Sequence, residues 1–181
     1  MSNDEELIAA YRASPSGEML DELVRRHLRR VRALVFQMVL DDAAADDLTQ
    51  EVFLRVFRHL ASFNGRSRFS TWLYRVAMNT THSYLASQRR SRVESWDDLP
   101  PQCDRAATPE RALLDAELGR EVQRALEELP SRLRAAIVLT VLQGLDAKEA
   151  ARIEGCTVAT MYWRVHQARK RLARRLEEYL S

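Results

Sequence analysis

Apolar residues recur at three- and four-residue spacing through almost the whole chain, and only five glycines and five prolines interrupt them. Strands demand a two-residue alternation, and Gly and Pro punctuate the turns between them. With Leu, Ala, Arg and Glu dominant, the chain can form little except helices. The breaks fall at Ser14-Pro15-Ser16-Gly17, Asn64-Gly65, the Pro100–Pro109 stretch, Pro130, Gly144 and Gly155. Between them the spacing predicts helices over 4–12, 18–40, 43–60, 70–90, 110–128, 131–143, 147–154 and from 157 onward. Cap residues support several of these boundaries. Asp41–Asp47 places acids in a first turn, where they favour the helix dipole. Ser70 is a candidate N-cap, and Asp146-x-x-Glu149 resembles a capping box. Thr108-Pro109-Glu110 gives an N-cap, an N1 proline and an acid, Gly144 and Gly155 serve as C′ residues, and Thr157 can cap the last helix.

Length and composition bound the function classes. The chain has 181 residues, 46% of them hydrophobic and 30% charged, enough for one domain or two small ones. No run of 18 apolar residues occurs, so no transmembrane helix is expected. The MSNDEEL start is acidic and lacks the apolar core of a signal peptide. Cys103 and Cys156 are far apart. That fits the reducing cytoplasm and argues against a disulfide framework or zinc site. No nucleophile–base set, paired-carboxylate motif, phosphate-binding glycine loop or metal set is present, so the expectation is a protein with no catalytic residues, cofactor, metal or small-molecule substrate. His27 lies inside an apolar helical stripe with no second ligand at metal spacing, which reads as a packed histidine.

Charge is unevenly placed. The formal net charge is only +2, yet residues 55–92 carry eight arginines and no acid. Within this stretch Phe69, Trp72 and Tyr74 interleave with Arg66, Arg68 and Arg75. Basic side chains among aromatics suit a partner with phosphates and base faces; a solvated helix over core aromatics is the plainer reading. On the 70–90 helix, Phe69, Leu73, Val76, Ala77, Thr80 and Tyr84 fall on one face. Thr71, Arg75, Asn79, His82 and Arg89 fall on the other, with Trp72 between them. The preceding helix sets Leu48, Val52, Phe53, Val56, Phe57 and Leu60 against Asp47, Glu51, Arg55 and Arg58. That polar face serves either solubility or docking to a protein partner. After Arg92 the composition inverts: residues 94–117 hold seven acids against two arginines, which reads as a flexible acidic linker. A short helix, a glycine turn and a basic helix then form a helix-turn-helix pattern over 147–175. Trp163, His166, Gln167, Lys170 and Arg174 lie on its outward arc, where Gln can read adenine and Lys or Arg guanine or phosphate. A basic helix packing on an acidic partner is the alternative.

These segments together resemble extracytoplasmic-function (ECF) sigma factors of the sigma-70 family. DDLTQEVFLRVFRHL (46–60) is similar to region 2.2, which docks on the β′ clamp helices of RNA polymerase. FNGRSRFSTWLYRVAMN (63–79) resembles the loop and helix that open the −10 element. LPSRLRAAIVLTVLQGLDAKEAARIEGCTVATMYWRVHQARKRL (129–172) resembles region 4, which reads the −35 element. The resemblance implies an all-α chain of two small helical domains joined by the linker: region 2 over 1–92, linker over 93–112, region 4 over 113–181. It further implies core RNA polymerase (β and β′ subunits), promoter DNA and an anti-sigma factor as partners. Carried over by position, Asp47, Gln50, Glu51 and Leu54 contact polymerase. Phe63, Asn64, Phe69, Trp72 and Asn79 handle the flipped base and melted strand, while Arg75, Arg89, Arg90 and Arg92 hold phosphates. Tyr162, Trp163, Arg164, His166, Gln167 and Arg169 face the −35 groove, with Lys170 on the same arc.

The sequence also departs from the family pattern. Tyr162 and Trp163 replace small or basic residues, Gln167 stands where arginine is common, and Ser83 stands where aspartate is usual. Glu154 occupies the position before the turn glycine where an apolar residue is expected. A stand-alone helix-turn-helix regulator with an N-terminal sensing or dimerising domain, and a helical adaptor without DNA contact, are the competing classes.

Overall fold

The computed structural model describes residues 3–94 and 111–180, and they are mostly helical, with no strand among the described residues. Helix α1 spans Asp4–Ala13, α2 Gly17–Val39, α3 Asp42–His59 and α4 Phe69–Glu94. A second group comprises α5 Arg111–Glu127, α6 Ser131–Ile137, α7 Ala147–Glu154 and α8 Val158–Leu180. Most of the 93–112 linker, with the expected Thr108 cap and Cys103, lies outside the described residues.

The first half is a four-helix unit built on α2. Its stripe buries Leu23, Val31, Leu34, Val35 and Met38, each worth about 1.5–3 kcal/mol relative to exposure. Helix α3 contributes Leu48, Val52, Phe53 and Val56, and α4 contributes Phe69, Leu73 and Ala77 to the same core. His27 is a packed histidine: its Nε2 lies 2.8 Å from Asp4 Oδ2 of α1, and its ring meets Phe69 edge-on at 5.4 Å. Asp41 caps α3 by accepting from Ala44 N–H at 2.7 Å.

Several local expectations are corrected. Ser70 is not a cap, because α4 already begins at Phe69; the Phe69 N–H points instead to Glu5 Oε1 of α1 at 3.5 Å. The 131–143 helix is not uniform. It changes at Val138–Leu142 to a π turn, in which the Gln143 N–H reaches back five residues to the Val138 carbonyl. Gly144 then takes positive φ, as a closing glycine must. Asp146 caps α7 through Glu149 N–H at 2.7 Å, but the capping box is only half formed, because the Glu149 carboxylate accepts from Thr71 instead. In α8 the apolar stripe holds at Met161 and Ala168, which are fully buried, while Val158 at its start is exposed.

The two halves pack on each other, which the residue pattern alone does not reveal. A single apolar cluster runs from the α2–α4 core into Ala135, Ala136, Leu139, Ala150, Ala151, Ile153 and Met161. The small side chains let α7 lie close along α4. At the other end Leu40, the C-cap of α2, joins Leu126, Leu129, Leu133 and Ile137. Leu40 has φ +62, a conformation that costs a branched side chain about 1–2 kcal/mol. It is held by burial against the second half and by Gln123 Nε2 donating to its carbonyl at 3.0 Å. Arg134, buried in α6, donates to the Met38, Glu127 and Leu129 carbonyls. It thereby supplies the ends of α2 and α5 with donors they lack internally. Burial lowers its pKa from the ordinary guanidinium value.

Candidate nucleic-acid interface

Helix α4 divides largely along the expected faces, except that Thr71, placed on the outward one, is buried and His82 is half-buried. Phe69, Leu73, Ala77 and Thr80 are buried, while Arg75, Asn79, Arg89 and Arg90 are exposed. The preceding loop turns at Asn64-Gly65, with Gly65 at φ +70 and the Asn64 side-chain oxygen accepting from Arg66 N–H. This turn folds Phe63 back onto the start of α4. Phe63, Phe69 and Trp72 form one aromatic cluster, with ring centroids 5.3 Å apart for Phe63–Trp72, 5.8 Å for Phe69–Trp72 and 5.9 Å for Phe63–Phe69. Phe69 is 1% exposed and Phe63 is also buried, so neither offers a ring face to a base here. They back Trp72, which is half-buried at the edge of a cleft lined by Arg66, Ser67, Thr71, Arg75 and Arg152. Arg92 lies in the last turns of α4, and its side chain is outside the description.

On α3, Asp47 and Gln50 are exposed, Glu51 pairs with Arg55 at 2.6 Å, and Leu54 is 44% exposed. None of these four residues takes part in the packing between the halves.

Helices α7 and α8 form the helix-turn-helix. Gly155, at φ +64, closes α7, and Thr157 Oγ1 caps α8 by accepting from Thr160 N–H at 3.1 Å. The outward arc is open: Tyr162 is 64% and Trp163 59% exposed, and His166, Arg169 and Lys170 are exposed too, with Gln167 half-buried. Arg164 differs from the rest. Its guanidinium is turned inward onto Glu154 Oε2 at 3.1 Å.

Glu154 is the buried charge whose setting motif reading does not supply. Its side chain is 1% exposed and meets three basic side chains: His82 of α4 at 2.9 Å, Arg132 of α6 at 3.0 Å and Arg164 of α8. Burial opposes its ionisation, but the hydrogen bond and charge of His82, then those of Arg132, outweigh it, and its carboxyl sits below the ordinary 4.5. The signal was the departure itself, an acid where the fold pattern calls for an apolar side chain. The expected working face of α4 is therefore partly covered by α7. Thr71 donates to Glu149 Oε1 at 2.8 Å, Arg75 donates to the Arg152 carbonyl, and His82 meets Glu154.

Residues 23–91 match the sigma-70 region 2 family and residues 119–172 match sigma-70 region 4. Over 168 residues the chain is 33% identical to the RNA polymerase sigma-H factor of Pseudomonas aeruginosa, covering 88% of this chain and 87% of that protein. It is 36% identical to the ECF RNA polymerase sigma-E factor of Escherichia coli K12, covering 86% and 85%. Two solved structures share the fold. CnrH in complex with the cytosolic domain of CnrY has a TM-score of 0.71 at 24% identity, covering 97% of this chain and 99% of that one. RpoE in complex with the anti-sigma factor NepR from Bartonella quintana has a TM-score of 0.67 at 23% identity, covering 87% and 96%. The chain belongs to the ECF sigma factors of RNA polymerase. A stand-alone regulator is not favoured, since the N-terminal half matches region 2 rather than a separate sensing domain. Among the described residues no helix is long and apolar enough to cross a membrane, and no group of three or more His, Cys, Asp or Glu could hold a metal ion.

Proposed function

We propose that this sigma factor divides its work among three surfaces, within a region 2 over 1–92 and a region 4 over 113–181 joined by the 93–112 linker. Asp47, Gln50, Glu51 and Leu54 on α3 dock on core RNA polymerase. Trp72, backed by Phe63 and Phe69, with Asn64 and Asn79 beside it, captures an unpaired −10 base. Arg75, Arg89, Arg90 and Arg92 follow the phosphates. Tyr162, Trp163, His166, Gln167, Arg169 and Lys170, with Arg164 once it leaves Glu154, contact the −35 duplex.

The observation that carries this reading is Trp72 at the rim of a basic cleft, supported from behind by two buried phenylalanines. Flipping a base costs a few kcal/mol, and stacking on an aromatic side chain recovers about 1–3 kcal/mol. Such a platform traps a spontaneous opening without fuel, so the protein acts by binding rather than catalysis and needs no cofactor. The buried phenylalanines set the platform, while the exposed arginines supply sequence-independent, salt-dependent affinity. An anti-sigma factor is the expected regulator, as NepR is for RpoE. The test is co-elution with core polymerase followed by run-off transcription from promoter DNA. Tight duplex binding by the isolated chain with no association to core would refute it.

A further inference from the structure

Glu154 is the last residue of α7, next to the turn at Gly155. Its side chain is 1% exposed, and folded chains seldom bury a glutamate so far unless it is paired. Two of its partners belong to the same half of the chain. Oε2 accepts from Arg132 of α6 at 3.0 Å and from Arg164 of α8 at 3.1 Å. Arg132 is 55% exposed and Arg164 only 17%, so water and salt screen the Arg164 pair less. Residues 157–175 carry six Lys or Arg and no acid, and α8 therefore has no acid of its own there to hold a guanidinium. Tyr162, Trp163, His166, Arg169 and Lys170 all remain exposed, while Arg164 is drawn inward across the turn.

We infer that Glu154 is a positioning residue for −35 specificity, competing with DNA for the Arg164 guanidinium and so muting that arginine as a base reader. This rests on the sigma-factor reading above and goes on to which bases the −35 surface prefers. A free arginine in the major groove donates two hydrogen bonds to guanine. Arg164 must first break a charge-assisted hydrogen bond, the stronger kind, and it adds only what the DNA contact yields beyond that bond. Preference then falls to side chains that owe nothing to Glu154. Gln167 can pair with adenine, and the rings of Tyr162 and Trp163 offer apolar contact to thymine methyl groups. The helix crossing does not hang on the ion pair. Ala150, Ala151 and Ile153 of α7 and Met161 and Ala168 of α8 are buried and fix how the two helices meet. Removing the charge of Glu154 therefore redirects a side chain and leaves α8 in place.

The experiment is a selection of −35 sequences by holoenzyme, reconstituted from core polymerase and the full chain, on promoters randomised across that element. Circular dichroism checks that each variant stays helical. Glu154→Gln keeps the shape of the side chain and removes its charge. It should enrich guanine at one position of the element by about fivefold or more, the lower end of what a bidentate arginine–guanine pair provides. A purely structural role would lower activity without moving base preference. Arg164→Ala should abolish the enrichment in the Glu154→Gln background and shift preference several-fold less in the parent, a coupling read as a double-mutant cycle. Arg132→Ala leaves the Arg164 pair intact and should not enrich guanine. Should Glu154→Gln fail to fold, Glu154→Met, an apolar side chain for a covered position, takes its place. Unchanged base preference on substituting Glu154, the same change without Arg164, or an Arg164→Ala shift as large in the parent as in the Glu154→Gln background overturns the inference. A parent that selects promoters while the variants alter nothing removes this inference alone. A parent that selects none with core removes the sigma-factor reading and this inference with it.

Discussion

Replacing Trp72 by alanine removes the platform and leaves its supports. The ring packs on Phe63 and Phe69 at 5.3 and 5.8 Å, and such aromatic pairs contribute about 0.5–1.5 kcal/mol each. Half-buried, Trp72 is less costly to lose than a sealed core residue, so the fold should weaken by about 1–3 kcal/mol and remain helical at 25 °C. The loss specific to DNA is the base stack, about 1–3 kcal/mol, equivalent to a roughly 5- to 150-fold reduction in the open-complex equilibrium. Core affinity should stay within about twofold, because Asp47, Gln50, Glu51 and Leu54 lie on α3, outside the aromatic cluster. The assay pairs a core-binding titration with 2-aminopurine fluorescence in the −10 strand. Trp72→Phe, which keeps a ring, should fall between alanine and the parent. Equal losses in core binding and opening, or unimpaired opening by the alanine variant, would refute the base-capture argument.

Glu51→Lys should cut core affinity by about tenfold or more through like-charge contact. Its loss of the Arg55 pair should cost only a few tenths of a kcal/mol in thermal stability, so unfolding and core titration together check it. Trp163→Ala should leave the melting temperature nearly unchanged, since the side chain is 59% exposed. It should alter affinity or base preference at the −35 element in a selection from randomised duplexes. Glu154 also sets a pH dependence. Its folded pKa is depressed, so its stabilisation is fully present above the ordinary 4.5. It is lost as pH falls through the lower folded value. Acid unfolding followed by circular dichroism should begin at higher pH in the parent than its other carboxylates alone require. In Glu154→Gln that part of the acid sensitivity should disappear.

Local chemistry made most helices legible. Asp146 and Gly155 bracket α7 at Ala147–Glu154, matching the expected 147–154, because an N-cap acceptor and a positive-φ glycine act within one turn. The faces of α3 and the apolar stripe of α4 followed from spacing alone for the same reason. What the pattern could not supply was the partner of each face. Thr71 and His82 were assigned to an outward polar surface, yet they meet Glu149 and Glu154, 78 and 72 residues away. Arg134 reaches the Met38 carbonyl across 96 residues. Such contacts depend on how preformed units dock, and periodicity carries no record of that. Phe63 and Phe69 were grouped with Trp72 as base-handling residues. Their aromatic character was visible, but not that two of the three are sealed behind the third. The resemblance had already located Glu154 as out of pattern, but not the basic side chains from three different helices that surround it.

The central claim is that this chain directs core RNA polymerase to promoters, and sequencing transcript 5′ ends from a reconstituted reaction on genomic DNA tests it most directly. With the protein added, start sites should appear downstream of a shared pair of −35 and −10 elements, absent with core alone. Start sites indistinguishable from those of core alone, with no stable association between the chain and core, would contradict the account.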